Sequence, residues 1–153
     1  MKSIAYNILG NVPDAEDAVQ EAFLKVYRSF QDFRGDASLS TWLYRILVNA
    51  CHDIGRKRKR RREEPGVAVE AADEPVSPTT DHPLRVTLEK ALSRLAPRHR
   101  DVFLLFEVEG FKHREIAEIL DIAEGTSKAT LFEAKRELQS FIRQERRRPE
   151  AAL

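Results

Sequence analysis

The side chains best suited to chemistry in this chain are basic, amide and aromatic, and they lie together. Arg56 to Arg62 reads RKRKRRR, seven cations in succession. Immediately upstream, Tyr44, Arg45, Asn49, His52, Asp53 and Arg56 recur mostly three or four residues apart, the spacing of one helix face. Such a face, running straight into a cationic block, suits a polyanion whose phosphates meet the charges and whose bases meet the amide and aromatic groups. A solvated helix end is the plainer reading of the cationic block taken alone. Enzymatic chemistry finds no support, because no nucleophile, base and orienting group stand at workable spacing. His99-Arg100-Asp101 has the residue order of a kinase catalytic loop, but no Gly-rich phosphate loop or Asp-Phe-Gly accompanies it. Arg34-Gly35-Asp36 reads as an ordinary loop. One cysteine, Cys51, excludes an internal disulfide, and His52, His82, His99 and His113 have no zinc-ligand spacing with it. The expectation is a non-enzyme with no catalytic residue, no metal and no cofactor.

These residues need a scaffold, and composition says how large it can be. The chain has 153 residues with 26 Lys plus Arg against 25 Asp plus Glu, so its net charge of +1 hides strong segregation. Residues 63–83 hold six acids, four prolines and no Lys or Arg, with few large apolar residues. Such a segment buries too little apolar area to offset its ordering entropy and is expected to be a flexible linker. It separates a first domain, residues 1–62, from a second, residues 84–148, with a disordered tail at 149–153. No apolar run approaches the length of a membrane span, and Met1 to Asn11 lacks the features of a leader peptide, so a cytoplasmic protein without membrane insertion is expected.

Both domains read as helical. Asp14, after Pro13, is placed to cap a helix whose apolar positions Ala15, Ala18, Val19, Ala22, Phe23, Val26, Tyr27 and Phe30 form one stripe, expected to be continuously buried. After a loop at 31–38, Ser40 is placed to cap a second helix with Trp42, Leu43, Ile46, Leu47, Ala50, Cys51 and Ile54 inward. Cys51 on that stripe reads as a small buried hydrophobe. In the second domain, Pro97 suits a helix start and Gly110 its stop. A short helix from Lys112 to Leu120, a turn at Asp121 to Ala123 and a long helix from about Glu124 to Gln144 make a helix-turn-helix pattern. Asp121 sits where a left-handed residue is often needed.

The strings DAEDAVQEAF, STWLYRI separated from Asn49 by two residues, and EIAEIL followed by GTSK carry a resemblance. GNVPDAEDAVQEAFLKVYRSFQDFRGDASLSTWLYRILVNACHDIGRKRKRR resembles the second conserved domain of bacterial extracytoplasmic-function (ECF) sigma factors of the sigma-70 family. LEKALSRLAPRHRDVFLLFEVEGFKHREIAEILDIAEGTSKATLFEAKREL resembles their fourth. The resemblance implies an all-α fold: a region-2-like helical bundle and a region-4-like helix-turn-helix domain joined by a flexible linker. It implies a protein that binds core RNA polymerase and directs promoter-specific initiation through minus-ten and minus-thirty-five elements. The partners implied are core polymerase, through its β′ clamp helices and β flap, promoter DNA and an anti-sigma factor.

The same resemblance assigns residues. Asp17, Gln20, Glu21 and Leu24 would dock on the clamp helices. Phe33, Arg34, Ser40, Thr41, Trp42, Tyr44, Arg45, Asn49 and Arg56 would meet the minus-ten element, where unstacked bases need amide, hydroxyl and aromatic partners; Trp42 also falls on the apolar stripe, so a packing role stays open. Arg56 to Arg62 would follow phosphates. Arg114, Thr126, Ser127, Lys128, Thr130, Lys135 and Arg136 would meet the minus-thirty-five element. Thr130 and Glu133 stand where many relatives have a basic residue, and Ser127 where they often have Val. Lys112 replaces a frequent Ser cap, which should weaken initiation of its helix. Relatives carry a further helix before the segment resembling MKSIAYNILGN; without it an exposed apolar patch is expected, favouring self-association or dependence on a partner. Two other classes fit the pattern: a stand-alone helix-turn-helix regulator, which would usually need a dimer, and a degenerate sigma-like interaction module. Promoter-specific initiation that depends on core polymerase separates them.

Overall fold

The computed structural model describes residues 1–66 and 83–148, and among these the regular structure is helical, with no strand. The chain divides into two compact units, one holding α1 to α3 together with residues 118–121, the other holding α4, α5, residues 113–117 of α6, and α7. Most of the expected linker, residues 67–82, and the expected tail, 149–153, lie outside the described residues. The ends of that linker are helical instead, since Glu63 closes α3 and Pro83 opens α4.

In the first unit, α1 (Lys2–Leu9) stops at Gly10, whose φ of 79° is left-handed and whose amide donates to the Tyr6 carbonyl at 2.7 Å. Helix α2 (Val12–Ser29) starts at once. Its cap is Asn11, not Asp14: the Asn11 side-chain oxygen accepts from the Asp14 amide at 2.9 Å, and its amide group donates to the Asp14 carboxylate at 2.9 Å. Pro13 fits the first helical turn, where no amide partner is needed, so the helix begins ahead of it and Asp14 becomes a first-turn acid. Ser38, not Ser40, caps α3 (Leu39–Glu63), its hydroxyl oxygen accepting from the Thr41 amide at 3.1 Å. That cap keeps Leu39 within the helix, and α3 runs on to make the whole basic block helical.

Ala15, Ala18, Val19 and Ala22 of α2 are buried, as are Leu47, Val48, Ala50 and Cys51 of α3 and Ile4 and Ala5 of α1. The expected stripe on α2 is not continuously buried: Phe23, Tyr27 and Phe30 are 55%, 86% and 58% exposed. At about 100° per residue these three positions swing roughly a quarter to two fifths of a turn away from the Ala15–Ala18–Ala22 seam. Closely spaced apolar residues thus belong to two faces, one inward and one outward.

The second unit begins with α4 (Pro83–Arg94) and α5 (Pro97–Phe103). Beyond Phe103 the helix widens into a π turn at Leu104–Val108, with the Glu109 amide bonded to the Leu104 carbonyl five residues back at 3.0 Å. Adjacent Leu104 and Leu105 in this turn are both fully buried. Gly110, with φ 78°, then stops the helix where the sequence placed the stop. Helix α6 (His113–Leu120) starts after Lys112, whose amide donates to the Glu115 carboxylate at 2.8 Å. Half of a capping box therefore survives the missing Ser. Asp121 is left-handed, φ 54°, and α7 (Glu124–Arg147) follows. Val102, Ile116, Leu131, Ala134 and Leu138 are buried with the two leucines of the π turn.

Asn11→Ala removes the cap of α2 and should lower the unfolding free energy by about 1 kcal/mol, read as a reduced urea midpoint at unchanged m-value.

Candidate nucleic-acid interface

On α2 the outward side is acidic toward its start and aromatic toward its end. Asp17, Gln20 and Leu24 are exposed and Glu21 is half-buried. Phe23, Tyr27 and Phe30 continue that surface and, with Val26, Arg28 and Gln31, line an open depression. Sequence reading assigned these aromatics to the core and so missed an outward apolar surface; their rotation away from the alanine seam was the available signal.

Around the start of α3, Arg34, Ser40, Arg45 and Asn49 are exposed, while Phe33, Trp42 and Tyr44 are half-buried. Trp42 tilts against Phe33, ring centroids 5.0 Å apart at 42°. It therefore braces the loop instead of filling the core. Thr41 departs from expectation: it is 2% exposed, and its hydroxyl accepts from Ser38 at 2.8 Å. Its side chain supports the cap and is turned away from any DNA ligand. The face that remains open on this helix is Ser40, Arg45 and Asn49, with half-buried Tyr44 beside it.

The basic block is not uniform. Lys57, Lys59, Arg60, Arg61 and Arg62 are exposed, and exposed Arg56 is paired with Asp53, to which Lys25 also comes within 3.9 Å. Arg58 turns back: its guanidinium donates to the Leu9 carbonyl at 3.2 Å and lies 3.5 Å from the Asp14 carboxylate. One cation thus ties α3 to the end of α1 and the start of α2, while its neighbours stay open to solvent.

In the second unit, a line of inward residues runs along α7: Ser127, Thr130, Leu131, Ala134 and Leu138. Ser127 is fully buried, its hydroxyl 2.9 Å from His113 Nδ1, and the His113 ring stacks on Phe106 at 4.6 Å and 21°. Thr130 is 8% exposed. Neither side chain faces a ligand, because their positions along a 3.6-residue helix fall on the side that packs inward. Ser127 is instead a pin between the two helices of the helix-turn-helix.

Among the exposed residues of that motif are Arg114, Thr126, Lys128, Glu133, Lys135 and Arg136. Several carry acid partners: Lys128 with Glu124 at 3.5 Å, Lys135 with Glu107, and Arg136 with Glu133 at 3.9 Å. Phe132, 61% exposed, lies under the Arg136 guanidinium at 5.8 Å. Sequence reading did not single it out, although its position opposite the inward line marked it as outward. Among the described residues no group of His, Cys, Asp and Glu could hold a metal, and no helix is long and apolar enough to cross a membrane.

This arrangement, an exposed polar helix face beside a cationic block in one unit and a helix-turn-helix in the other, defines a class of helical DNA-binding protein. Residues 1–63 match the family Sigma-70 region 2, and residues 85–138 match Sigma-70, region 4. The ECF RNA polymerase sigma-E factor of Escherichia coli is 31% identical over 84% of this chain and 74% of its own length. The ECF RNA polymerase sigma factor SigG of Mycobacterium tuberculosis is 31% identical over 96% of this chain, which spans only 45% of SigG. Among solved structures, the sigma factor RpoE in complex with the anti-sigma factor NepR from Bartonella quintana superposes with a TM-score of 0.78 at 26% identity, covering 93% of this chain and 89% of that one. The chain belongs to the ECF sigma factors of the sigma-70 family.

Two substitutions separate structural from ligand-facing side chains. Ser127→Ala strands His113 and should cost about 1 kcal/mol of stability, whereas Thr126→Ala should leave the thermal midpoint unchanged and weaken DNA binding. Arg58→Gln should likewise cost about 1 kcal/mol, while Arg61→Gln should reduce DNA affinity alone; calorimetry and fluorescence anisotropy on the four variants check both pairs.

Proposed function

We propose that this chain binds core RNA polymerase and directs it to promoters, the first unit engaging the minus-ten element and the second the minus-thirty-five element. The observation that carries the reading is the occurrence of both family regions in order, each with an open polar surface where the family would use one. In the first unit that surface is Arg34, Ser40, Arg45 and Asn49, with Phe33, Trp42 and Tyr44 beside it. Amide and guanidinium groups there suit base edges of a melted strand, and the half-buried rings are placed for stacking at its margin. The exposed cations of α3, with Arg56 shared between Asp53 and solvent, add a salt-sensitive hold on phosphates that carries no sequence information.

The outward residues of α2, Asp17, Gln20 and Leu24 with half-buried Glu21, are assigned to the β′ clamp helices, where carboxylates can meet basic partner residues around an apolar contact. In the second unit, Arg114, Thr126, Lys128, Lys135 and Arg136 are assigned to duplex DNA, with Thr126 and Lys128 at the helix end that would enter the major groove, and the β flap is the proposed polymerase contact. The chain works in the cytoplasm as a non-enzymatic factor, its chemistry being supplied by the polymerase. An anti-sigma protein is the proposed regulator, in keeping with the complex in which the Bartonella relative was solved.

The test is run-off transcription with purified core polymerase, this chain and fragmented genomic template. Discrete start sites that require the chain are expected, and Asn49→Ala should reduce them at least tenfold while core binding is retained. Tight core binding with no start site would reject promoter recognition and favour an interaction module.

A further inference from the structure

Helix α7 is far longer than a base-reading element needs. The major groove is about 12 Å wide, and a straight helix lying in it leaves after roughly four turns, whereas α7 spans 24 residues, or about 36 Å. Its outermost line continues past the helix-turn-helix as Arg136, Gln139, Ser140, Arg143, Gln144 and Arg147, which together line a shallow depression. Every one of these residues is exposed.

Charge sorts along this line. Acids near the start and middle of the helix lie beside two of its cations, Glu124 by Lys128 at 3.5 Å and Glu133 by Arg136 at 3.9 Å. Glu137 lies 2.7 Å from His99, and Glu145 pairs with Arg148. Arg143 and Arg147 have no acid partner among the described residues. Cations in a last helical turn offset the helix dipole, which accounts for Arg146 and Arg147. Arg143 stands a turn earlier, where the dipole gives little, so a different anion is called for.

We propose that the C-terminal half of α7 is a second, sequence-independent contact with duplex DNA, in which Arg136, Arg143 and Arg147 engage phosphates of the strand bordering the groove. Its placement rests on the reading of α7 above as a groove-entering helix. Arg136 lies about 15 Å along the axis from Thr126 and Arg143 about 26 Å, the interval over which a straight helix climbs out of the groove and crosses the flanking backbone. Guanidinium groups there meet phosphate oxygens in two-pronged fashion, with Gln139, Ser140 and Gln144 as neutral donors between them. The contact adds affinity and fixes the angle of the helix, and leaves base choice to its other end.

The experiment is anisotropy titration of the full chain, alone and with core polymerase, on two duplexes of unrelated sequence across a salt series. Compared are R143Q/R147Q, whose exposed side chains permit folding to be confirmed by unchanged helicity, and T126A/K128A. For R143Q/R147Q the slope of log affinity against log salt should fall by about 2 and affinity drop about tenfold, equally on both sequences. If that loss appears while T126A/K128A binds normally, the base-reading assignment of α7 fails and the phosphate contact stands. If T126A/K128A loses affinity and R143Q/R147Q keeps both affinity and slope, the proposal is overturned. Loss of binding to polyglutamate without loss on DNA, which would mark an acidic protein surface as the partner, overturns it too, as does an unaltered chain with no duplex affinity in either form.

Discussion

The close approach of α2 to α3 governs the first unit. Ala15, Ala18 and Ala22 of α2 are buried and carry almost no side chain, and Leu47, Val48, Ala50 and Cys51 of α3 are fully buried. A core made this way is thin. It is filled by few large residues, so it can cover only one side of each helix, and everything not on the seam is left to solvent. That is why α2 can hold an acidic and aromatic surface outward, and why α3 can hold Arg45 and Asn49 outward, without either helix losing its anchor. Small domains bury a modest share of their surface, and here the unburied share is where the proposed recognition groups sit.

The second unit solves the same problem with polar pins. The contact of Ser127 with His113, the stacking of His113 on Phe106 and the Glu115 cap of Lys112 add to the buried Ile116 and Leu131 in fixing the start of α6 and the first turn of α7. Hydrogen bonds fix orientation more sharply than apolar contact does. Orientation is what a helix-turn-helix must control, since its reading end is short and its errors grow along a long helix.

Much of this was legible in the sequence, and the failures have common causes. Cys51 in the core, Gly110 at a helix stop and left-handed Asp121 follow from local conformational preference, which acts within a few residues. The caps were misplaced by two or three positions because Pro13 and Thr41 tolerate the helix interior, so Asn11 and Ser38 could take the role from Asp14 and Ser40. Apolar spacing predicted one stripe on α2 but cannot say how much of it a neighbouring helix reaches; Phe23 and Tyr27 were lost that way. Thr41, Ser127 and Thr130 were read as ligand-facing from the resemblance, and only the register of the inward line shows them turned away. Arg58 is the clearest case, because nothing in RKRKRRR distinguishes it. Its role comes from a carbonyl and a carboxylate more than forty residues earlier in the chain.

The π turn at Leu104–Val108 carries a consequence for how such chains vary in length. It holds one residue beyond what an α-helical turn requires, and Leu104 and Leu105 within it are both fully buried. Deleting a single residue there would leave a regular helix with no broken hydrogen bond, a change that propensity alone scores as harmless. The chain beyond it would keep its direction out of α5, because the wider turn takes up the extra residue that a regular helix would convert into a rotation of about 100°. The surplus residue therefore acts as slack: the downstream motif keeps its orientation with or without it, and no residue of the turn belongs to the proposed DNA surface.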